Sequence, residues 1–153
     1  FLYFIGMVRA AEVAKKSFQD ACAGLPQSLH PTNVANTVAG YQQAEQAVKD
    51  YSADHIAVEI KTARQISDFI SHSTLDIALR LSVLDIIQNR EEAEATVVGP
   101  DGRALHPQSQ AKFLVAKTGR KKLITALCPK IQSPEELVEL LTSLADVSER
   151  QAV

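Results

Sequence analysis

The fold class this sequence predicts is an all-α bundle, and three observations lead to it. Apolar residues recur at spacings of three and four along most of the chain. The breaks between those stretches are short and carry Gly, Pro, Ser, Thr or Asn. Only residues 97–105 read like strand and turn. The expectation is one compact bundle of six or seven helices, irregular or orthogonal in arrangement, with a small hairpin or ordered loop near 97–105.

Taken in order, residues 7–23 read as a helix with Val8, Ala11, Phe18 and Cys22 near one face, closed by Gly24-Leu25-Pro26. Val34, Val38, Tyr41, Val48 and Tyr51 predict a second helix over 33–51. Asp54 is the expected N-cap of a third, running from His55 to about Ser71 on Ile56, Ile60, Ala63, Ile66, Phe69 and Ile70. Ser73 or Thr74 then caps a segment apolar around most of its circumference, from Leu75 to Ile87. Such a helix belongs in the middle of a bundle, and Glu91, Glu92 and Glu94 mark its solvated end. Pro107 opens the next helix, which Thr118-Gly119 is expected to interrupt and Pro129 to stop. Ser133, Pro134 and Glu136 form the start signal of a last helix whose apolar face is Leu137, Leu140, Leu141 and Leu144.

The first six residues stand apart. Leu2-Tyr3-Phe4, one residue, then Gly6-Met7 resembles the engineered cleavage linker ENLYFQ-GM used in recombinant expression, with Phe1 and Ile5 departing from it. That resemblance implies that the natural segment begins at Met7. The rival origin is the apolar end of a signal or anchor segment, against which Arg9, Glu12, Lys15, Lys16 and Asp20 follow almost at once. Residues 7–153 are expected to be a single helical domain cut from a longer polypeptide.

The composition excludes several classes. Hydrophobic residues make up 46% and charged residues 22%, ordinary globular proportions that argue against disorder. No apolar run reaches the roughly 18 to 20 residues of a membrane span, so no membrane partner is expected. The two cysteines, Cys22 and Cys128, are no disulfide framework and point to an intracellular, reducing setting.

No catalytic or metal set emerges. None of His30, His55, His72 and His106 has an acidic residue three positions before it, so the Glu-x-x-His motif of di-metal bundles is absent. His55 with Glu59, and Asp68 with His72, are four apart and read as surface pairs. Neither cysteine lies in a C-x-x-C motif, and no Gly-rich phosphate loop is present. No cofactor and no enzymatic activity are expected.

Charge is the distinctive feature. The net charge of −2 is a cancellation: residues 1–102 carry 8 cations and 13 acids, whereas residues 103–133 carry 7 cations and no acid. Lys112, Lys117, Arg120, Lys121, Lys122 and Lys130 are the candidate binding residues for an anion, a nucleic acid or an acidic partner, with Arg103 at the edge. A helix starting near Thr118 would also aim free amides at an anion. No aromatic residue except Phe113 is interleaved, and Phe113 reads as core, so base stacking has no platform. The function expected is therefore a non-enzymatic α-helical protein-interaction or assembly module, with a protein partner or self-association. The alternative is a nucleic-acid- or nucleocapsid-associated module using residues 103–130.

Overall fold

The computed structural model describes residues 2–127. The chain is an all-α bundle; among the described residues it has six α-helices, a single 3₁₀ turn at Gln27–Leu29 and no strand. The helices are α1 (Leu2–Cys22), α2 (Val38–Lys49), α3 (Ala53–Glu59), α4 (Ala63–His72), α5 (Ile77–Ala95) and α6 (Pro107–Leu127). No helix among these residues is long and apolar enough to cross a membrane. Two compact units can be drawn, divided after Arg80 within α5. The expected stop at Pro129 and the helix expected from Ser133 lie outside the described residues.

In the first unit α1 packs against α2. Ala14 and Ala21 are buried, Phe18 meets the Tyr41 ring at 6.1 Å, and Ser17 Oγ donates to Glu45 at 2.8 Å. Lys49 reaches the same carboxylate at 3.0 Å. The hydrogen bonds from Lys49 and Ser17 hold the Glu45 carboxyl below its ordinary value. Cys22 is buried and free, and desolvation pushes its thiol up, so it behaves as a small core hydrophobe rather than a nucleophile. Gly24, at φ +77°, turns the chain out of α1. A Cβ there would stand 2.7 Å from the Ser73 amide nitrogen and 2.9 Å from the Asp68 carbonyl oxygen, so this turn requires glycine both for its φ and for its close approach to the end of α4.

The single helix expected from 55 to 71 is two. Ser52, not Asp54, caps α3 by accepting from the His55 amide. The chain then leaves helical geometry at Ile60, and Thr62 restarts it with a capping box: Thr62 accepts from the Gln65 amide while Gln65 accepts from the Thr62 amide. The break keeps both apolar stripes inward, since Ile56, Ile60, Ile66 and Phe69 are all fully buried. Ser73 ends α4 rather than starting α5, and Thr74 Oγ1 donates to the Asp20 carbonyl oxygen at 2.9 Å. The second helix is shorter than expected, with Thr37 as its N-cap, and the first is longer, running through the leader.

In the second unit α5 contributes Val83, Leu84 and Ile87, each fully buried. Residues 97–105 form no strand pair, only one antiparallel bridge between Val98 and Ala104 around a turn that uses Gly102 at φ +79°. Helix α6 runs through Thr118-Gly119 without interruption, correcting the expected break. A glycine inside a helix costs only about 1 kcal/mol against alanine, and Gly119 lies on the buried side with Ala116 and Arg120, where packing outweighs that cost.

Leu84→Ala is expected to destabilise the protein by roughly 2 to 4 kcal/mol through cavity formation, measured by denaturant unfolding; a loss under about 0.5 kcal/mol would contradict its place in the core. Glu45 supplies a pH signature. Because its folded pKa is depressed, its contribution is present above the unfolded pKa and is lost as pH falls through the folded one. Glu45→Gln should therefore flatten the stability profile below about pH 4.5 and leave its shape near neutrality unchanged. An unaltered acid limb would show that the Ser17–Glu45–Lys49 cluster contributes nothing.

Candidate functional site

The basic segment folds as α6, and the structure sorts its cations into two groups. Arg120 is 2% exposed. Its guanidinium donates to Asp85 Oδ1 at 3.1 Å and to Gln88 Oε1 at 3.2 Å, both on α5. Lys112 is mostly covered and sits 3.4 Å from Glu91 Oε1. One further rung follows, with Ser109 Oγ donating to Glu94 Oε2 at 3.0 Å. Ascending positions on α5 thus meet descending positions on α6, so an antiparallel helix pair is joined by a polar ladder. Glu91, expected at a solvated helix end, is buried within that ladder.

Burial explains the use of these residue types. An ionised carboxylate withdrawn from water needs a partner, and a planar guanidinium satisfies a carboxylate and an amide oxygen together. Ala116 is fully buried, and Gly119 is buried beside Arg120. Small residues on the inner side of α6 leave room for long polar side chains there. Arg120 and Lys112 are therefore internal pairing residues, and Arg120 in particular is not available to a ligand surface.

The other group faces outward. At 100° per residue, Leu114, Thr118, Lys121, Lys122 and Thr125 share the side of α6 opposite Ala116, Gly119, Arg120 and Ile124, and all five are exposed. Lys117 flanks this face, half-buried, with its ammonium 5.8 Å from the centroid of the Phe113 ring. Helix α6 has no acidic residue anywhere along it. Lys117 and Lys121 stand four apart, a like-charge pair that costs an isolated helix a few tenths of a kcal/mol. The helix dipole does not account for these lysines, because its effect is confined to the last turn and that turn of α6 has no basic residue. Arg103 is exposed beside Asp101 at 3.9 Å, and Lys130 lies outside the described residues. No helix begins at Thr118, so the anion site expected at such an N-terminus does not exist.

The remaining titratable pairs occupy the first unit. Asp68 and His72 line a cleft of about 330 Å³ with Gly24, Leu25, Pro26 and Gln65. The Gln65 carbonyl oxygen in that cleft is engaged by the amides of Lys61 and Thr62. His55 lies against Tyr51 with ring centroids 4.9 Å apart, and Glu59 accepts from Ser28 Oγ at 2.7 Å, so the His55–Glu59 pair is divided between different partners. His30 Nε2 is hydrogen-bonded to the Leu25 carbonyl oxygen at 3.0 Å. Among the described residues no group of three or more His, Cys, Asp or Glu gathers as a metal site would require.

Removing one member of the ladder and removing an outer lysine should differ sharply. Arg120→Ala, which leaves the Asp85 carboxylate without its cation, is expected to cost roughly 2 to 5 kcal/mol. Lys121→Ala and Lys122→Ala should each stay within about 0.5 kcal/mol of the parent. Equal effects at all three positions would contradict the division into inner and outer cations. Neither a protein-family model, nor a curated protein, nor a solved structure matches this chain.

Proposed function

We propose that the chain is a non-enzymatic α-helical protein-interaction module whose contact surface is the outer face of α6, and that its partner presents an acidic segment with apolar anchors. The observation that carries this reading is the composition of that face. Leu114, 51% exposed, shares the outer face with Lys121 and Lys122 on the following turns, flanked by Lys117, with no acidic residue on the helix. A half-exposed leucine on the same helix face as a group of cations suits a protein surface, where an apolar anchor is accompanied by charges that set orientation and partner choice.

The nucleic-acid alternative is less well supported. Arginine is the residue best shaped to grip phosphate in two-pronged fashion, and Arg120 is directed into the fold instead. The exposed face retains lysines and threonines, without an aromatic platform for bases. Three lysines would give a salt dependence near the low end of what nucleic-acid binders show.

The reading is tested by titrating the protein, at low and at physiological salt, with a labelled amphipathic peptide of alternating Glu and Leu turns and with a single-stranded RNA of equal charge. The peptide should bind with salt-sensitive affinity. Lys121→Glu combined with Lys122→Glu should weaken it by roughly tenfold or more, and Leu114→Asp should do likewise with less change in salt dependence. RNA binding that exceeds peptide binding and falls with the same lysine reversals would establish the alternative. Failure of both ligands to bind at low ionic strength would remove the α6 face as a contact surface.

A further inference from the structure

The cleft bordered by Asp68 and His72 has no part in the surface of α6. It measures about 330 Å³, and all its lining residues belong to the first unit, on the turn at Gly24-Leu25-Pro26 and on α4. That volume falls at the lower end of what small-ligand clefts occupy, and such clefts pair an apolar wall with a few placed polar groups. Both parts are present. Leu25 and Pro26 are buried and supply the apolar wall. Gln65, Asp68 and His72 follow one another at three and four positions, so they share one side of α4.

The capping box holds Gln65 Oε1 against the amides of Lys61 and Thr62 at 2.7 and 3.1 Å. With its oxygen occupied and its side chain pinned, Gln65 offers the cleft the N–H donors of Nε2. Among the described residues no hydrogen bond or ion pair engages the Asp68 carboxylate or the His72 ring. No lysine or arginine lines the cleft. Gly24 brings the turn close to the Asp68 carbonyl oxygen and the end of α4, where the last carbonyls carry the negative pole of the helix. An anion would meet the Asp68 carboxylate, and a metal ion would find only Asp68 and His72 among the described residues, too few to hold it. We infer that the cleft binds a primary amine carrying an apolar group and a carbonyl oxygen. Its ammonium donates to the Asp68 carboxylate and to a ring nitrogen of His72, its oxygen accepts from Gln65 Nε2, and its apolar group covers Leu25 and Pro26. A free amino-acid amide and the N-terminal residue of a polypeptide share this chemistry. The inference is independent of the α6 reading.

An NMR titration of the isotope-labelled protein with leucinamide tests this. The probe should shift, saturably, the side-chain amide of Gln65 and the resonances of Leu25 and His72. N-acetylleucinamide keeps the apolar group and the oxygen but lacks the charge, and it should bind more weakly by roughly tenfold or more. Asp68→Asn should weaken leucinamide binding by a similar factor. Thermal unfolding of that variant should hold steady, because Asp68 is exposed. Tighter binding of the tripeptide leucyl-alanyl-alanine than of leucinamide would uphold the site with a polypeptide N-terminus as its occupant. Equal or weaker tripeptide binding would uphold it with a free small amine. The inference is overturned if leucinamide causes no saturable shift at these residues, if its acetylated form binds equally well, or if Asp68→Asn leaves the affinity unchanged.

Discussion

The second unit depends on one buried cation. Arg120 is almost wholly excluded from water, and Asp85 and Gln88 present oxygen atoms that stabilise its charge there. That requirement fixes the register of α6 against α5 more narrowly than apolar packing can, since leucines tolerate small slips and the hydrogen bonds of a buried guanidinium do not. Lys112 with Glu91 and Ser109 with Glu94 continue the same register towards the connecting turn. Apolar burial at Val83, Leu84, Ile87 and Ile124 holds the helices together, and the polar ladder specifies how they align.

The same ladder decides what remains for function. A basic segment with no acid of its own looks like a uniform surface until its partners are located. Two of its cations neutralise carboxylates on α5, and the outer side retains Lys117, Lys121 and Lys122, with Leu114 on the same face. The segment therefore has an inner side that aligns helices and an exposed outer side. With Arg120 in the interior, the exposed face of α6 carries lysines and no arginine.

The all-α class was legible because helical spacing was strong in α1, α2, α4 and α5, and because the breaks carried Gly, Pro or capping residues. The division of α3 from α4 was missed, although Thr62 and Gln65 stand at the three-residue spacing of a capping box. The continuous apolar spacing of Ile56, Ile60, Ala63 and Ile66 concealed it, since the stripe survives the break. The uninterrupted α6 was obscured by a glycine whose role is close packing rather than termination. The burial of Arg120 was the least legible feature, because cations lie at the surface by default. The available signal was on the partner helix. Asp85, Gln88 and Glu91 recur every three residues along α5, a spacing that aims polar groups towards one neighbour.

The account turns on whether Arg120 and Asp85 act as a pair that aligns α5 and α6. A double-mutant cycle built from Asp85→Asn and Arg120→Met, read by denaturant unfolding, measures that coupling directly. The account predicts an interaction of about 1 kcal/mol or more, with the double variant more stable than the sum of the two single losses implies. Additive losses, within about 0.3 to 0.5 kcal/mol, would mean that the two side chains stabilise the fold independently, and the ladder would no longer explain the alignment of the pair.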